Sequence, residues 1–181
     1  GHLTDILDPE GGKLSKRKGS MSVERLIRGG YLSEAILNFI MLLGWAPKDN
    51  RELFTLDEFV RNFDSKGFQK ANPIFNIDKL NWFNGEYIRQ LSIDELNSKF
   101  EIRNSKFAAL SKDKQLSITS LIQERIKKLS DFEELAGFFF EDIRYDRGLL
   151  KWKEMTDKEI KKSLEKSEKI LGKIKNENWQ K

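Results

Sequence analysis

Four Ser/Thr-x-x-Glu capping boxes constrain this chain more than any other feature: Thr55/Glu58, Ser92/Glu95, Ser130/Glu133 and Thr156/Glu159. In such a box the hydroxyl accepts from the amide three residues on while the carboxylate reaches back to the first amide, so each box marks a helix start. The first predicts a helix carrying Leu56, Phe59 and Val60, and the second one carrying Ile93, Leu96 and Phe100. The third opens onto Phe132, Leu135, Ala136 and Phe139, and the fourth onto a long amphipathic helix over 157–175. A chain punctuated this way is predicted to be mostly α.

The remaining elements fit around these starts. Leu3, Ile6 and Leu7 before Asp8-Pro9 and Gly11-Gly12 suggest a short strand and a turn. Ser22 can cap a short helix with Val23, Leu26 and Ile27 that Gly29-Gly30 stops. Ser33 precedes the most apolar helix, in which Ala35, Ile36, Leu37, Phe39, Ile40, Met41, Leu42 and Leu43 cover most of the circumference, so burial on all sides is expected. Residues 73–77 read as a short strand, 78–83 as a helix turn ended by Asn84-Gly85, and 110–129 as a long helix. Short helices and strands before Phe100 suggest a small α+β module over 1–100; only helices follow, which suggests an all-α bundle over 101–181.

Composition excludes several chemistries. The 181 residues contain no Cys and one His, His2, which removes disulfides, thiolate metal sites and Ser-His catalysis and predicts no zinc site. No apolar run reaches transmembrane length and no signal peptide opens the chain, so a cytoplasmic protein without a membrane partner is expected. A net charge of +4 suits contact with nucleic acid on one face.

The stretch Lys13-Leu14-Ser15-Lys16-Arg17-Lys18-Gly19-Ser20 places four cations in six residues and threads small residues between them. Unpaired ammonium groups are too costly to bury fully, so the stretch cannot be core. It suits a positive loop over a polyanion, with backbone amides near Ser15 and Gly19 approaching phosphates and Lys16 as a movable point charge. An ordinary basic surface loop has the same charge pattern.

The spelling K-L-S-K-R resembles the K-M-S-K-S signature of class I aminoacyl-tRNA synthetases, and K-L-S-K-R-x-G is most similar to glutamyl-tRNA synthetases. The blocks around it agree: Leu7-Asp8-Pro9 upstream, then 30–39, Leu42-Leu43-Gly44-Trp45-Ala46-Pro47, and 78–89 from Asp78-Lys79-Leu80 to Tyr87-Ile88-Arg89. The 123–129 segment and Phe138-Phe139-Phe140 fit the helical region that follows. Two departures stand out: Asn81 where the family usually has Asp, and Ala71-Asn72-Pro73 in place of Ser-Pro-Ala.

The resemblance implies a C-terminal portion of a bacterial-type enzyme that activates glutamate with ATP and Mg²⁺ and passes it to tRNA-Glu. Its other signature, H-I-G-H, has no counterpart here, and neither has the family's last anticodon bundle with P-L-R-x-A-L-T-G; this fragment alone is therefore expected to be inactive. Residues 1–100 would hold the end of the catalytic region and a stem-contact module, and 101–181 the first anticodon-side bundle. By the same resemblance Lys16 contacts the ATP phosphates, Lys13 assists, Ser15 braces the loop and Arg17 replaces the small last residue of the general motif. A monomer is expected. Candidate RNA phosphate contacts are Lys70, Arg89 and Arg125, with Lys127 and Lys128; each is also an ordinary surface charge. Trp45, Trp82 and Phe138-Phe140 read as core packing rather than as base-stacking platforms. A glutaminyl-tRNA synthetase relative, or a non-catalytic tRNA-binding or assembly module, are the alternatives.

Overall fold

The computed structural model describes residues 4–14, 22–142 and 144–174. Its helices are α1 (Val23–Arg28), α2 (Ser33–Met41), α3 (Leu56–Asn62), α4 (Ile77–Gln90), α5 (Ile93–Arg103), α6 (Ser105–Ala108), α7 (Lys112–Ile122), α8 (Phe132–Ala136) and α9 (Asp157–Leu171). Extended pairing among the described residues is limited to isolated bridges, Leu7 with Lys13 and Ile74, and Trp45 with Phe68. The fold is mostly α, as the capping boxes predict.

Three of the four boxes form. Thr55, Ser92 and Thr156 each exchange hydrogen bonds with the Glu three residues on, and those bonds hold the Glu58, Glu95 and Glu159 carboxyls below their ordinary value. The fourth does not. The Ser130 hydroxyl instead donates to the Gly29 carbonyl at 2.8 Å, while the Asp131 carboxylate accepts from the Lys127 and Lys128 amides at 3.0 and 2.9 Å. The helix expected over 110–129 is only Lys112–Ile122.

Packing divides the chain into two compact units, Gly1–Glu141 and Asp142–Lys181. The boundary expected near Phe100 does not appear in the packing. Leu32, Ala35 and Ile88, from before it, share one core with Phe100, Phe107, Ile118, Ile126 and Phe132. Phe100 and Phe132 stack with ring centroids 4.2 Å apart, and Phe107 meets Phe132 edge-on at 4.8 Å. A second cluster joins Leu26, Ile36 and Phe39 to Phe75, Leu80 and Phe83. Aromatic payload of this kind makes the first unit cohere across both halves of the sequence.

Two further expectations are corrected. Helix α2 is not buried on all sides: Leu37 and Ile40 are 39% and 45% exposed, and Ala35, Ile36 and Phe39 make the buried face. Asn84-Gly85 does not stop a helix; α4 runs through it to Gln90. The Asn84 side chain, fully buried, accepts from the Leu32 amide at 2.7 Å and donates to the Lys127 carbonyl at 2.5 Å. Those tertiary partners replace the local bonds by which an Asn would favour a turn.

The second unit holds α9 and the short turn Arg147–Leu150, which Asp146 caps through the Gly148 amide at 2.8 Å. No helix among the described residues is long and apolar enough to cross a membrane.

Candidate functional site

Of the basic stretch, the described residues include only Lys13 and Leu14; Ser15, Lys16 and Arg17 lie outside them. The upstream stalk is firmly placed. The turn from Asp8 to Gly12 is closed by Asp8 N–H to the Gly12 carbonyl at 2.9 Å, and Leu14 N–H donates to the Ile6 carbonyl at 2.9 Å. Leu7 in turn is tied to the 73–75 segment through its amide to Pro73 (2.8 Å) and its carbonyl from Phe75 (2.9 Å). The Lys13 ammonium sits 2.6 Å from the Asp5 carboxylate, with both side chains more than half exposed. An exposed pair of this sort is weak, so the ammonium remains available to a polyanion.

Downstream, Ser22 caps α1 through the Arg25 amide, and the end of α1 is held from far along the chain. The Arg103 guanidinium donates to the Arg28 carbonyl at 2.7 Å, Ser130 to Gly29, and the Leu129 amide to the Gly30 carbonyl at 2.9 Å. Helix C-terminal carbonyls need such partners. Gly30 takes a φ of +92°, and a Cβ there would lie 2.6 Å from the Ser130 amide nitrogen, so only glycine fits. These long-range anchors, together with Asn84, carry no local signature in the sequence.

The candidate RNA contacts are placed individually. Lys70 and Arg125 are exposed and have no partner among the described residues. Arg89 is half-buried and paired with Glu86 one turn back, which ties it to the protein. Lys128 pairs with Asp131 at 3.6 Å, and Lys127 is exposed. No contact joins these side chains into one cluster among the described residues. Asn81, one of the departures, accepts from the Tyr31 hydroxyl at 2.5 Å, and burial raises the Tyr31 hydroxyl above its ordinary pKa. Its role is therefore internal.

The aromatic residues divide. Trp45 is buried and its indole N–H donates to the Asp64 carbonyl at 2.8 Å, as a core residue should. Trp82 is partly exposed with the Lys79 ammonium 4.4 Å over its ring. Phe138 is exposed, while Phe139 and Phe140 pack on the first core. The sequence reading missed Phe63 and Phe68, a half-exposed pair beside Trp45; their place in a run of polar residues gave no periodic signal.

Comparison with known proteins adds the family. The model described as tRNA synthetases class I (E and Q), catalytic domain, matches residues 1–82, and the one described as anticodon binding domain matches residues 68–181. A glutamate–tRNA ligase of Clostridium botulinum is 41% identical over 184 residues, covering 99% of this chain and 37% of that protein. A Dehalococcoides mccartyi glutamate–tRNA ligase is 42% identical over 165 residues, 87% of this chain and 34% of that one. Among solved structures, a glutamate tRNA ligase from Elizabethkingia meningosepticum in complex with its amino acid gives a TM-score of 0.70 at 28% identity, covering 94% of this chain and 42% of that one. The glutamate-tRNA synthetase of Elizabethkingia anophelis gives 0.71 at 28% identity, with 93% and 41% covered. The chain thus spans about a third of the length of the curated relatives it matches.

Proposed function

This chain belongs to the glutamate–tRNA ligase family of class I tRNA synthetases, and we propose that within the whole protein it supplies the ATP-phosphate loop and an RNA-binding surface for charging tRNA-Glu with glutamate. The observation that carries this reading is the K-L-S-K-R sequence in a chain that the two family models together span.

In activation, a glutamate carboxylate oxygen attacks the α-phosphorus of ATP, and the bond to the bridging oxygen breaks as pyrophosphate leaves. Negative charge grows on the leaving group, and Lys16 is the cation that meets it; stabilisation placed where charge develops accelerates such steps most. Lys13 assists from the stalk, and Ser15 and Arg17 shape the loop. A terminal hydroxyl of the tRNA then attacks the activated carbonyl and AMP leaves. Among the described residues no group of three or more His, Cys, Asp or Glu forms a metal site. The cations of the basic stretch suit the triphosphate itself, and Mg²⁺ arriving on the triphosphate would neutralise phosphate charge through its oxygens.

Binding of tRNA-Glu by the purified chain tests the RNA-facing half. Phosphate contacts by Lys and Arg release counterions, so log affinity is expected to fall linearly with log salt, by roughly 0.7 to 0.9 for each phosphate neutralised. A titration at several salt concentrations measures the slope. A chain that leaves tRNA-Glu unbound at low salt contradicts the reading.

A further inference from the structure

The segment from Trp45 to Gln69 folds around a cleft of about 330 Å³, at the small end of ligand pockets, which begin near roughly 300 Å³. Its floor is rigid. Trp45 is bridged to Phe68, Gln69 N–H donates to the Gly44 carbonyl at 2.8 Å, and the Ala46 amide donates to the Gly67 carbonyl at 3.0 Å. A Cβ on Gly67 would lie 2.5 Å from the Trp45 indole nitrogen, so the Ser65–Gly67 turn presses directly on that ring.

One ring of the lining, Phe68, is left unenclosed by the core, and it leans on Phe63 beside the cleft. Phe63 stacks on Trp45 at 5.9 Å and 26°, and Phe68 meets Phe63 edge-on at 5.7 Å. Phe63 and Phe68 are nevertheless 45% and 44% exposed. The polar lining is equally particular. Lys48 lies 3.2 Å from the Asp64 carboxylate, which the Lys66 amide and then Lys48 hold ionised, so that pair is neutral. The Lys66 ammonium and the Gln69 side-chain amide, both in the lining, have no partner among the described residues. Asn62 donates to the Glu58 carbonyl at 2.6 Å and keeps its side-chain oxygen as an acceptor.

We propose that this cleft takes one unstacked nucleotide of a bound tRNA, its base against Phe68 and its phosphate against Lys66. The inference rests on the tRNA-binding reading above. A half-exposed aromatic ring, a side-chain amide able to meet a base edge and an uncommitted cation in the same lining are the parts that bind an extruded base. Charge complementarity favours RNA as the occupant: Lys66 is followed by Lys70, also unpartnered among the described residues, and the acidic lining residue is already neutralised.

The test is a titration of a tRNA-Glu transcript against the purified chain and four variants, over a series of salt concentrations. Phe68→Ala is expected to weaken binding about 5- to 100-fold, the range of one base–aromatic stack, with the salt slope unchanged. Phe68→Leu fills the space without a π-face and is expected to match Phe68→Ala, whereas Phe68→Trp keeps wild-type affinity. Lys66→Ala is expected to reduce the slope by about one. Should Phe68→Ala lose its fold, the Leu and Trp pair decides alone. Wild-type chain that binds with Phe68→Leu equal to it overturns the nucleotide site only; wild-type chain that binds no tRNA overturns the site together with the reading it rests on.

Discussion

Replacing Lys16 by alanine in the whole protein is expected to lower kcat for glutamate activation by about 100-fold or more, with glutamate affinity little changed. The split follows from when the charge acts. As the bond to pyrophosphate breaks, negative charge gathers on the leaving group, and in the proposed role Lys16 meets that charge. An interaction made mainly in the transition state is read in kcat, and the removal of one electrostatic stabiliser is worth ~10²-fold or more. ATP–pyrophosphate exchange with varied glutamate measures both parameters. Activation near wild type would remove the phosphate role of the loop. Lys13→Ala should cost less, because the proposed role of Lys13 is to assist Lys16.

Asn84→Ala has the second largest expected effect, on stability. The side chain is fully buried and joins α4 to two distant backbone groups, the Leu32 amide and the Lys127 carbonyl. Alanine leaves the Leu32 amide without a partner in a buried place and removes the donor to the part-buried Lys127 carbonyl. Each orphaned buried polar group costs about 1–3 kcal/mol, so a loss of about 2–5 kcal/mol is expected. Because Leu32 and the segment after α7 flank the core built around Phe100 and Phe132, the whole first unit should melt earlier as one transition. Thermal denaturation followed by circular dichroism checks this. Two transitions of which one alone moves would restore a boundary near Phe100. Asn84→Asp keeps an acceptor for Leu32 but loses the donor to Lys127, and should not rescue.

What was legible in the sequence was local. Thr55, Ser92 and Thr156 act on amides three residues away, so their boxes could be read directly. Gly30 was correctly placed as a stop, although the close approach of Ser130 that forbids any Cβ there could not be seen. Ser130 and Asn84 failed as local signals for the same reason: each offers its hydrogen bonds to backbone groups more than forty residues away. The exposed side of α2 was hidden because apolar residues surround it, and only packing decides which of them α4 covers. For the loop, residue identity carried the reading; its chemistry belongs to a motif and not to a period. Phe63 and Phe68 show the opposite case, since two aromatics in a polar run become a platform only once Trp45 and Gly67 fix them.

Glutamate-dependent ATP–pyrophosphate exchange by the whole protein that carries this chain tests the central claim most directly. The predicted result is exchange that requires glutamate, is not supported by glutamine, and falls about 100-fold or more in the Lys16→Ala variant. Exchange with glutamine in place of glutamate, or none with either amino acid, would contradict it.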